Sequence, residues 1–317
     1  MQTWHDVSEV GGELGTDVVT IGNFDGVHLG HRHVVEQARV LADERGGLPV
    51  VVVTFDPHPL KVVAPDVAPQ ALSSLSRRLD LLAEVGADAA LVLRFTPELA
   101  AVSAEHFVTR YLLDALHAEV IVVGDNFRFG HRALGDVGLL RSLCEPRGVA
   151  VVGLALDGAG GETWSSSYIR RLIDEGDVRA AAMALGRCFT IEGYVVRGDQ
   201  RGRELGYPTA NVPVSITATA VPADGVYAGW LRRLDAADAP LWPAAISVGT
   251  NPTFNGVERR VESYVLDRDD LELYGVRVEV TFVERLRGMV RFESVDELVA
   301  QMGSDVDLAR DLLSAAA

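Results

Sequence analysis

The apolar periodicity of this chain changes once, near residue 186, and that change commits it to two differently built halves. Between Asp17 and about Asp174, short apolar runs alternate with helical patterns. Such alternation predicts a parallel sheet with crossover helices, its strands near 17–22, 49–54, 88–94, 119–124 and 149–155. Helices are expected at about 29–45, 74–85, 97–116 and 136–147, and another opens at Ser165. Beyond Gly186 apolar and polar residues alternate, most strictly in Val276-Arg277-Val278-Glu279-Val280-Thr281-Phe282. That run, with others at 189–197, 225–233, 244–249 and 259–267, predicts the antiparallel strands of a small β-barrel, with Glu279 on its solvated face. Ser294, with Glu297 three residues on, reads as a capping box opening a C-terminal helix to Leu313. The expected domains are therefore an α/β doubly wound domain over 1–186 and an antiparallel barrel with a final helix over 187–317, each long enough to bury its own core.

Composition narrows the chemistry. The net charge of −16 argues against a nucleic-acid or anionic-membrane surface, which needs a basic face. Small anionic substrates need only local positive clusters, and these occur at Arg170-Arg171 and at Arg197, Arg201 and Arg203. Lys61 is the one lysine in the sequence, which excludes phosphate schemes that set a lysine beside the binding glycines. All eight histidines lie at or before His131, so a proton acceptor in the last 186 residues must be a carboxylate, or less plausibly a tyrosine or thiol. The first dozen residues have neither a basic start nor an apolar core, and the two cysteines, Cys144 and Cys188, are far apart. Both features predict a cytoplasmic protein. No segment reads as an exposed apolar interface, so oligomeric state is not legible.

Four segments carry the candidate chemistry. In GNFDGVHLGH, Gly22 to His31, glycines at 22, 26 and 30 permit sharp turns and close approach of a ligand. A helix opening near His28 presents unpaired N–H groups, and His28 and His31 face the same way from its first turn. This is a phosphate site in outline; an HxxH pair is otherwise a surface accident or half of a metal site, the metal reading being disfavoured because His33, His58 and Asp56 do not complete a compact ligand set and no cysteine accompanies them. SSSYIRR, Ser165 to Arg171, follows a Gly-rich loop and offers hydroxyls and two arginines at a helix start, either as a second anion site or as a simple cap with solvated arginines. RGDQRGRELGYPTAN, Arg197 to Asn211, joins a Gly- and Arg-rich loop to Thr209 and Asn211, two neutral oxygen donors adequate for Mg²⁺ among phosphates; an ordinary hairpin loop has the same composition. In Val261-Glu262-Ser263-Tyr264-Val265, Glu262 shares a strand face with Tyr264 and is a candidate base, which spacing alone does not select.

Together these segments, with TFDPHP (Thr54 to Pro59), GDNFRFG (Gly124 to Gly130), PADGVYAG and SVGTNPTFNG, resemble in order the bacterial bifunctional riboflavin kinase/FMN adenylyltransferases, from about Val18 to Phe292. Eight motifs in one order are specific where any one is weak. The resemblance implies a Rossmann-like nucleotidyltransferase domain making FAD from FMN and ATP, then a riboflavin kinase-like barrel making FMN with MgATP. It assigns His28 and His31 to catalysis at the ATP phosphates. Gly22, Phe24, Asp25, Gly26, Asn126, Ser165, Ser166 and Arg170 become phosphate- or ATP-binding, and Asp56, His58 and Arg128 flavin-binding. In the barrel it assigns Glu262 as base, Arg203, Gly206, Thr209 and Asn211 to ATP, and Thr209 and Asn211 to the metal. Ser167 stands where the family usually has threonine, which keeps the hydroxyl. Two other readings are a nucleotidyltransferase for another phosphorylated alcohol with a binding barrel, and a flavin-binding protein without turnover. The ordered barrel motifs count against the first, and the presence of His28, His31, Thr209, Asn211 and Glu262 against the second.

Overall fold

Valine-rich strands, buried on both faces, set the architecture of the first of two compact units, Met1–Ser166 and Ser167–Ala317. The computed structural model describes residues 1–11, 15–155, 164–198, 202, 205–216, 219–236, 238–253 and 256–315. Arg203, Arg201 and the glycines before Ser165 lie outside the described residues. The first unit holds β1 (Gln2–Trp4), β2 (Asp17–Ile21), β3 (Val50–Asp56), β4 (Ala89–Arg94), β5 (Ala118–Gly124) and β6 (Ala150–Leu154). Their order is β1-β4-β3-β2-β5-β6, every neighbouring pair parallel. The edge strand β1 is too short and polar to be legible in the sequence.

Period-two side chains divide the strands between two cores. Val18, Val50, Val52, Val120 and Val122 pack with Val34, Val35 and Ala38 of α1 (Leu29–Glu44), while Val19, Ile21, Val51, Val53 and Ile121 pack on the opposite face. Short α2 (Leu60–Val63) and α3 (Leu75–Glu84) follow β3. The helix expected over 97–116 is instead three pieces: α4 (Pro97–Ala100), α5 (Ala104–Phe107) and a π-helical Val108–Ala115. Thr96 and Ser103 each cap a fresh start, accepting from Leu99 N (3.3 Å) and His106 N (3.2 Å). After β5 comes α6 (Val137–Cys144). Because β2 lies between β3 and β5, strand order reverses there, and a crevice opens at the carboxyl ends of β2 and β5.

The compact division falls after the first residue of α7 (Ser166–Glu175), and the second unit continues with α8 (Val178–Leu185), which packs on its sheet. The strands are β7 (Phe189–Tyr194), β8 (Thr209–Pro213), β9 (Gly225–Arg233), β10 (Trp242–Thr253), β11 (Gly256–Val265) and β12 (Arg277–Arg287). They form an antiparallel sheet in the order β7-β12-β9-β10-β11-β8. The sheet curls until its edges meet at one point, where Val196 N donates to Asn211 O (2.9 Å). Val278, Val280 and Phe282 are fully buried, as the alternation requires. Glu279 corrects the expectation of a solvated face: it is 6% exposed and ion-paired to Arg232 (2.8 Å), because β12 is an inner strand whose neighbour β9 sets that arginine directly across. The final helix, Val295–Ala315, starts where Ser294 Oγ accepts from Glu297 N (3.2 Å). Its Val306, Ala309 and Leu313 pack on Ala228, Ala245 and Leu266 of the barrel.

One carboxyl group violates the two-sided burial. Asp17, at the start of β2, is 1% exposed, and neither carboxylate oxygen has a hydrogen-bonding partner among the described residues. Burial pushes its carboxyl up to about 7. The folded chain therefore keeps a proton that the unfolded chain releases above pH ~4, so the group erodes stability progressively between about pH 4 and 7. Asp17→Asn is expected to remove that erosion: its melting temperature relative to the unsubstituted chain should be higher at pH 7.5 than at pH 5. Parallel melts whose difference is the same at both pH values would reject this account.

Candidate active sites

The turn between β2 and α1 uses three left-handed residues in four. Phe24 (φ +48°), Gly26 (φ +79°) and Val27 (φ +39°) share that conformation. Glycine adopts it freely, but in phenylalanine and a β-branched valine it is strained and must be held by its surroundings. Phe24 and Val27 are 2% and 1% exposed. Asp25, buried, accepts from Leu72 N (2.9 and 3.1 Å) and Ser73 N (3.4 Å), while Gly26 N donates to Ser73 Oγ (3.4 Å). Asp25 thus anchors the turn through its carboxylate.

His28 caps α1, its Nδ1 accepting from His31 N (3.3 Å). A neutral His28 in that bond carries its proton on Nε2. The His28 and His31 rings stack at 3.6 Å between centroids, and the Phe24 ring lies 5.1 Å from that of His31. The two imidazoles stand at the positive end of a 16-residue helix, where negative charge is favoured. Ser166 Oγ donates to Asp25 O (3.0 Å), which brings the start of SSSYIRR to this turn. Ser165 immediately precedes it, and Arg170 follows one helical turn later on the same face of α7.

Beside the turn lies a cleft of about 840 Å³, walled by Phe55, Phe95 and Phe127 and including Gly22, Asn126 and Arg128. Its size and apolar lining suit a drug-sized aromatic ligand with few polar anchors. His58 accepts from Leu60 N (3.2 Å) through Nδ1, and its Nε2 is 3.4 Å from Asn23 Nδ2. Arg128 is well exposed and faces Asp136 (3.5 Å). Asp56 is exposed at the end of β3, where its carbonyl accepts from Phe95 N (3.1 Å). Sequence reasoning missed Arg78, which shares the buried stripe of α3 with Leu81 and Leu82 and donates to the carbonyls of Asn23 (3.2 Å) and Phe55 (3.0 Å). The signal was available: an arginine spaced i, i+3, i+4 with two buried leucines.

In the second unit, Thr209 and Asn211 lie on β8, where the sequence had left a hairpin loop open as the alternative. Register explains the arrangement: Asn211 stands opposite Glu262 and Thr209 opposite Tyr264 on β11. All four side chains share one face. Thr209 Oγ1 donates to Glu262 Oε2 (3.4 Å) and accepts from Asn211 Nδ2 (2.9 Å). A Cβ on Gly198 would meet Asn211 Oδ1 at 2.6 Å, so glycine there makes room for the amide. Hydroxyl, amide and carboxylate oxygens are hard donors of the kind Mg²⁺ takes. Among the described residues no group of three or more His, Cys, Asp or Glu could hold a metal, so such an ion would draw on this set and on substrate phosphates. Gly206 is exposed in a left-handed turn just before β8.

A cavity of about 330 Å³ is bounded by Tyr207, Thr209, Glu262 and Tyr264 from the barrel and by Leu298 and Met302 from the C-terminal helix. Thr209 and Asn211 also line a smaller pocket with Pro208, Arg268 and Tyr274. The helix is fastened by the ion pair of half-buried Arg287 with buried Asp305, with Nε–Oδ1 at 2.9 Å and Nη2–Oδ2 at 2.6 Å, and Gln301 Nε2 donates to Asp305 Oδ1 (2.9 Å).

The family models decide what these two sites belong to. Residues 12–168 match the FAD synthetase model and residues 185–313 the riboflavin kinase model. The chain belongs to the bifunctional riboflavin kinase/FMN adenylyltransferase family. Its FAD synthetase domain comes first and its riboflavin kinase domain second. The bifunctional riboflavin kinase/FMN adenylyltransferase of Escherichia coli K12 is 38% identical over 294 residues, covering 93% of this chain and 92% of that protein. The enzyme of the same name from Listeria monocytogenes is 34% identical over 305 residues, covering 95% and 91%. A crystal structure described as a macrolide-efflux protein from Streptococcus pneumoniae matches with a TM-score of 0.84 at 30% identity, over 97% of this chain and 98% of that one. Among the described residues no helix is long and apolar enough to cross a membrane.

Because Asp305 is buried and accepts from both Arg287 and Gln301, Asp305→Ala is expected to destabilise the second unit by about 2 kcal/mol, the loss of hydrogen bonds to a charged group. Urea unfolding followed by tryptophan fluorescence checks this; a midpoint unchanged from the unsubstituted chain would show the pair to be energetically idle.

Proposed function

We propose that the second domain phosphorylates riboflavin to FMN, that the first joins the AMP part of ATP to FMN, and that the residues described above carry the two reactions. The functional boundary we assign is 1–186 and 187–317, in keeping with family models that match 12–168 and 185–313. The observation that carries the reading is that each family-matched half has its own cluster of polar side chains beside its own cavity.

In the kinase domain, Glu262 accepts the proton of the riboflavin 5′-hydroxyl as that oxygen attacks the γ-phosphorus of ATP and ADP leaves. The Thr209 hydroxyl on Oε2 holds the carboxylate in place. The 330 Å³ cavity takes the flavin, and the smaller pocket by Tyr274, with Gly206 and Arg203 of the preceding loop, takes the nucleotide. Thr209 and Asn211, which line both, would hold Mg²⁺; when bound, it neutralises phosphate charge.

In the adenylyltransferase domain, an FMN phosphate oxygen attacks the ATP α-phosphorus and pyrophosphate departs. That phosphate is already ionised at neutral pH, so no base is needed. Gly22, Phe24, Gly26 and the start of α1 cradle the nucleotide phosphates, and His28 donates through Nε2 to charge developing on them. His31, Asn126, Ser165, Ser166 and Arg170 complete the ATP contacts, with Asp25 holding the turn. The flavin occupies the 840 Å³ cleft, with His58, Arg128 and Asp56 at its polar margin. The charge of −16 supports small-molecule rather than nucleic-acid partners, and two free cysteines support a cytoplasmic setting.

Glu262→Gln is expected to lower FMN formation by roughly 10²–10⁴-fold while supplied FMN is still converted to FAD. His28→Ala should do the reverse, cutting adenylyl transfer about 10²–10³-fold with riboflavin phosphorylation intact. Both are read by chromatography of riboflavin, FMN and FAD over time. A single substitution that abolishes both activities in a folded chain rejects this division.

A further inference from the structure

We infer that Arg78 is a positioning residue for adenylyl transfer, clamping the phosphate turn after β2 to the carboxyl end of β3 so that the two substrates meet in register. The inference rests on reading the first domain as the FMN adenylyltransferase.

Arg78 comes from α3 and is 4% exposed. A single nitrogen, Nη1, reaches three acceptors: Asn23 O (3.2 Å), Phe55 O (3.0 Å) and Thr54 Oγ1 (3.4 Å). Thr54 Oγ1 in turn donates to Asn23 O (3.1 Å). The bonds span the two half-sites. Asn23 adjoins the strained turn that leads to His28, and Phe55 is a wall of the flavin cleft. Asn23 also reaches His58 of the TFDPHP loop, at 3.4 Å. The clamp therefore links the backbone that cradles phosphates to the backbone that shapes the flavin site, and touches no reacting atom.

A stability role alone would be met more cheaply. An arginine in an apolar stripe is costly to bury, and here its Nε is buried with no partner among the described residues. Burial pulls the guanidinium below its usual range, opposed by the charges of Asp25 and Asp56. The two peptide carbonyls it holds belong to segments whose mutual distance sets how an FMN phosphate approaches the α-phosphorus. Misplacement by an ångström at such a distance slows reaction strongly without weakening the binding of either substrate by itself.

The test is single-turnover FAD formation, with the full chain in excess over FMN and saturating MgATP. The rate constant reports alignment, and the amplitude reports the fraction of competent enzyme. Arg78→Met keeps the apolar stem and should lower the rate constant tenfold or more at near-full amplitude, with the KM for ATP and for FMN each within about threefold. Arg78→Lys should recover most of that loss. Reduced amplitude with an unchanged rate constant would mean that Arg78 merely stabilises the fold, and would overturn the inference. So would a rate constant within twofold of the unsubstituted chain. If Arg78→Met does not fold, Thr54→Val decides alone: it removes one limb of the clamp at constant volume, and at least a threefold slower rate is expected, an unchanged one being fatal. Failure of the unsubstituted chain to make any FAD from FMN and ATP would instead strike the functional reading on which the inference rests.

Discussion

A parallel strand covered by helices on both faces has no side on which a polar residue can sit cheaply, and the first domain follows from that constraint. Its inner strands are runs of valine, isoleucine and alanine whose alternate residues feed two separate cores. Polar chemistry is thereby expelled to the carboxyl ends, where GNFDGVHLGH, TFDPHP and GDNFRFG all emerge. The reversal of strand order at β2 then separates the chains leaving β2 and β5, and the space between them is the crevice in which we propose the adenylyltransferase site. Asp17 is the carboxyl that escaped the rule at the opposite end of β2, which is why burial raises its pKa so far.

The barrel solves the same problem in the opposite way. An antiparallel strand with one face in the core leaves every second residue available, so chemistry can be written along the strand itself. Val261, Ser263 and Val265 are buried while Glu262 and Tyr264 look the other way, and the register with β8 adds Thr209 and Asn211 to the same face. The polar cluster that we propose as the kinase site is thus a consequence of pairing register. A slip of one residue between β8 and β11 would bring Ala210 and Val212 to the face that holds Thr209 and Asn211.

Periodicity made the two architectures legible because burial on two faces and burial on one leave different patterns. It was blind where pairing is decided by partners distant in the chain. The strand β8, Thr-Ala-Asn-Val-Pro, has no pattern of its own and becomes a strand because β11 offers an edge. Glu279 looked like a solvated residue by alternation, but β9 supplies an arginine across from it. The break in the helix after β4 is written in Thr96-Pro97 and Ser103, whose side chains cap two short helices within the stretch expected as one. Glu262 was singled out by resemblance, since carboxylates abound in the second half. Arg78 was passed over because an arginine pair on a helix ordinarily faces water; its function depends on two carbonyls that only the folded sheet brings within reach.

The helix that walls the flavokinase cavity is the last element of the described chain, and Arg287 reaches across 18 residues to hold it through Asp305. The barrel strands are all synthesised before that helix leaves the ribosome. During translation the antiparallel sheet can therefore close while the cavity still lacks one wall, so a nascent chain would have the face bearing Glu262 before the cavity beside it is enclosed. Enclosure of that cavity thus waits on a helix that follows every barrel strand in the chain.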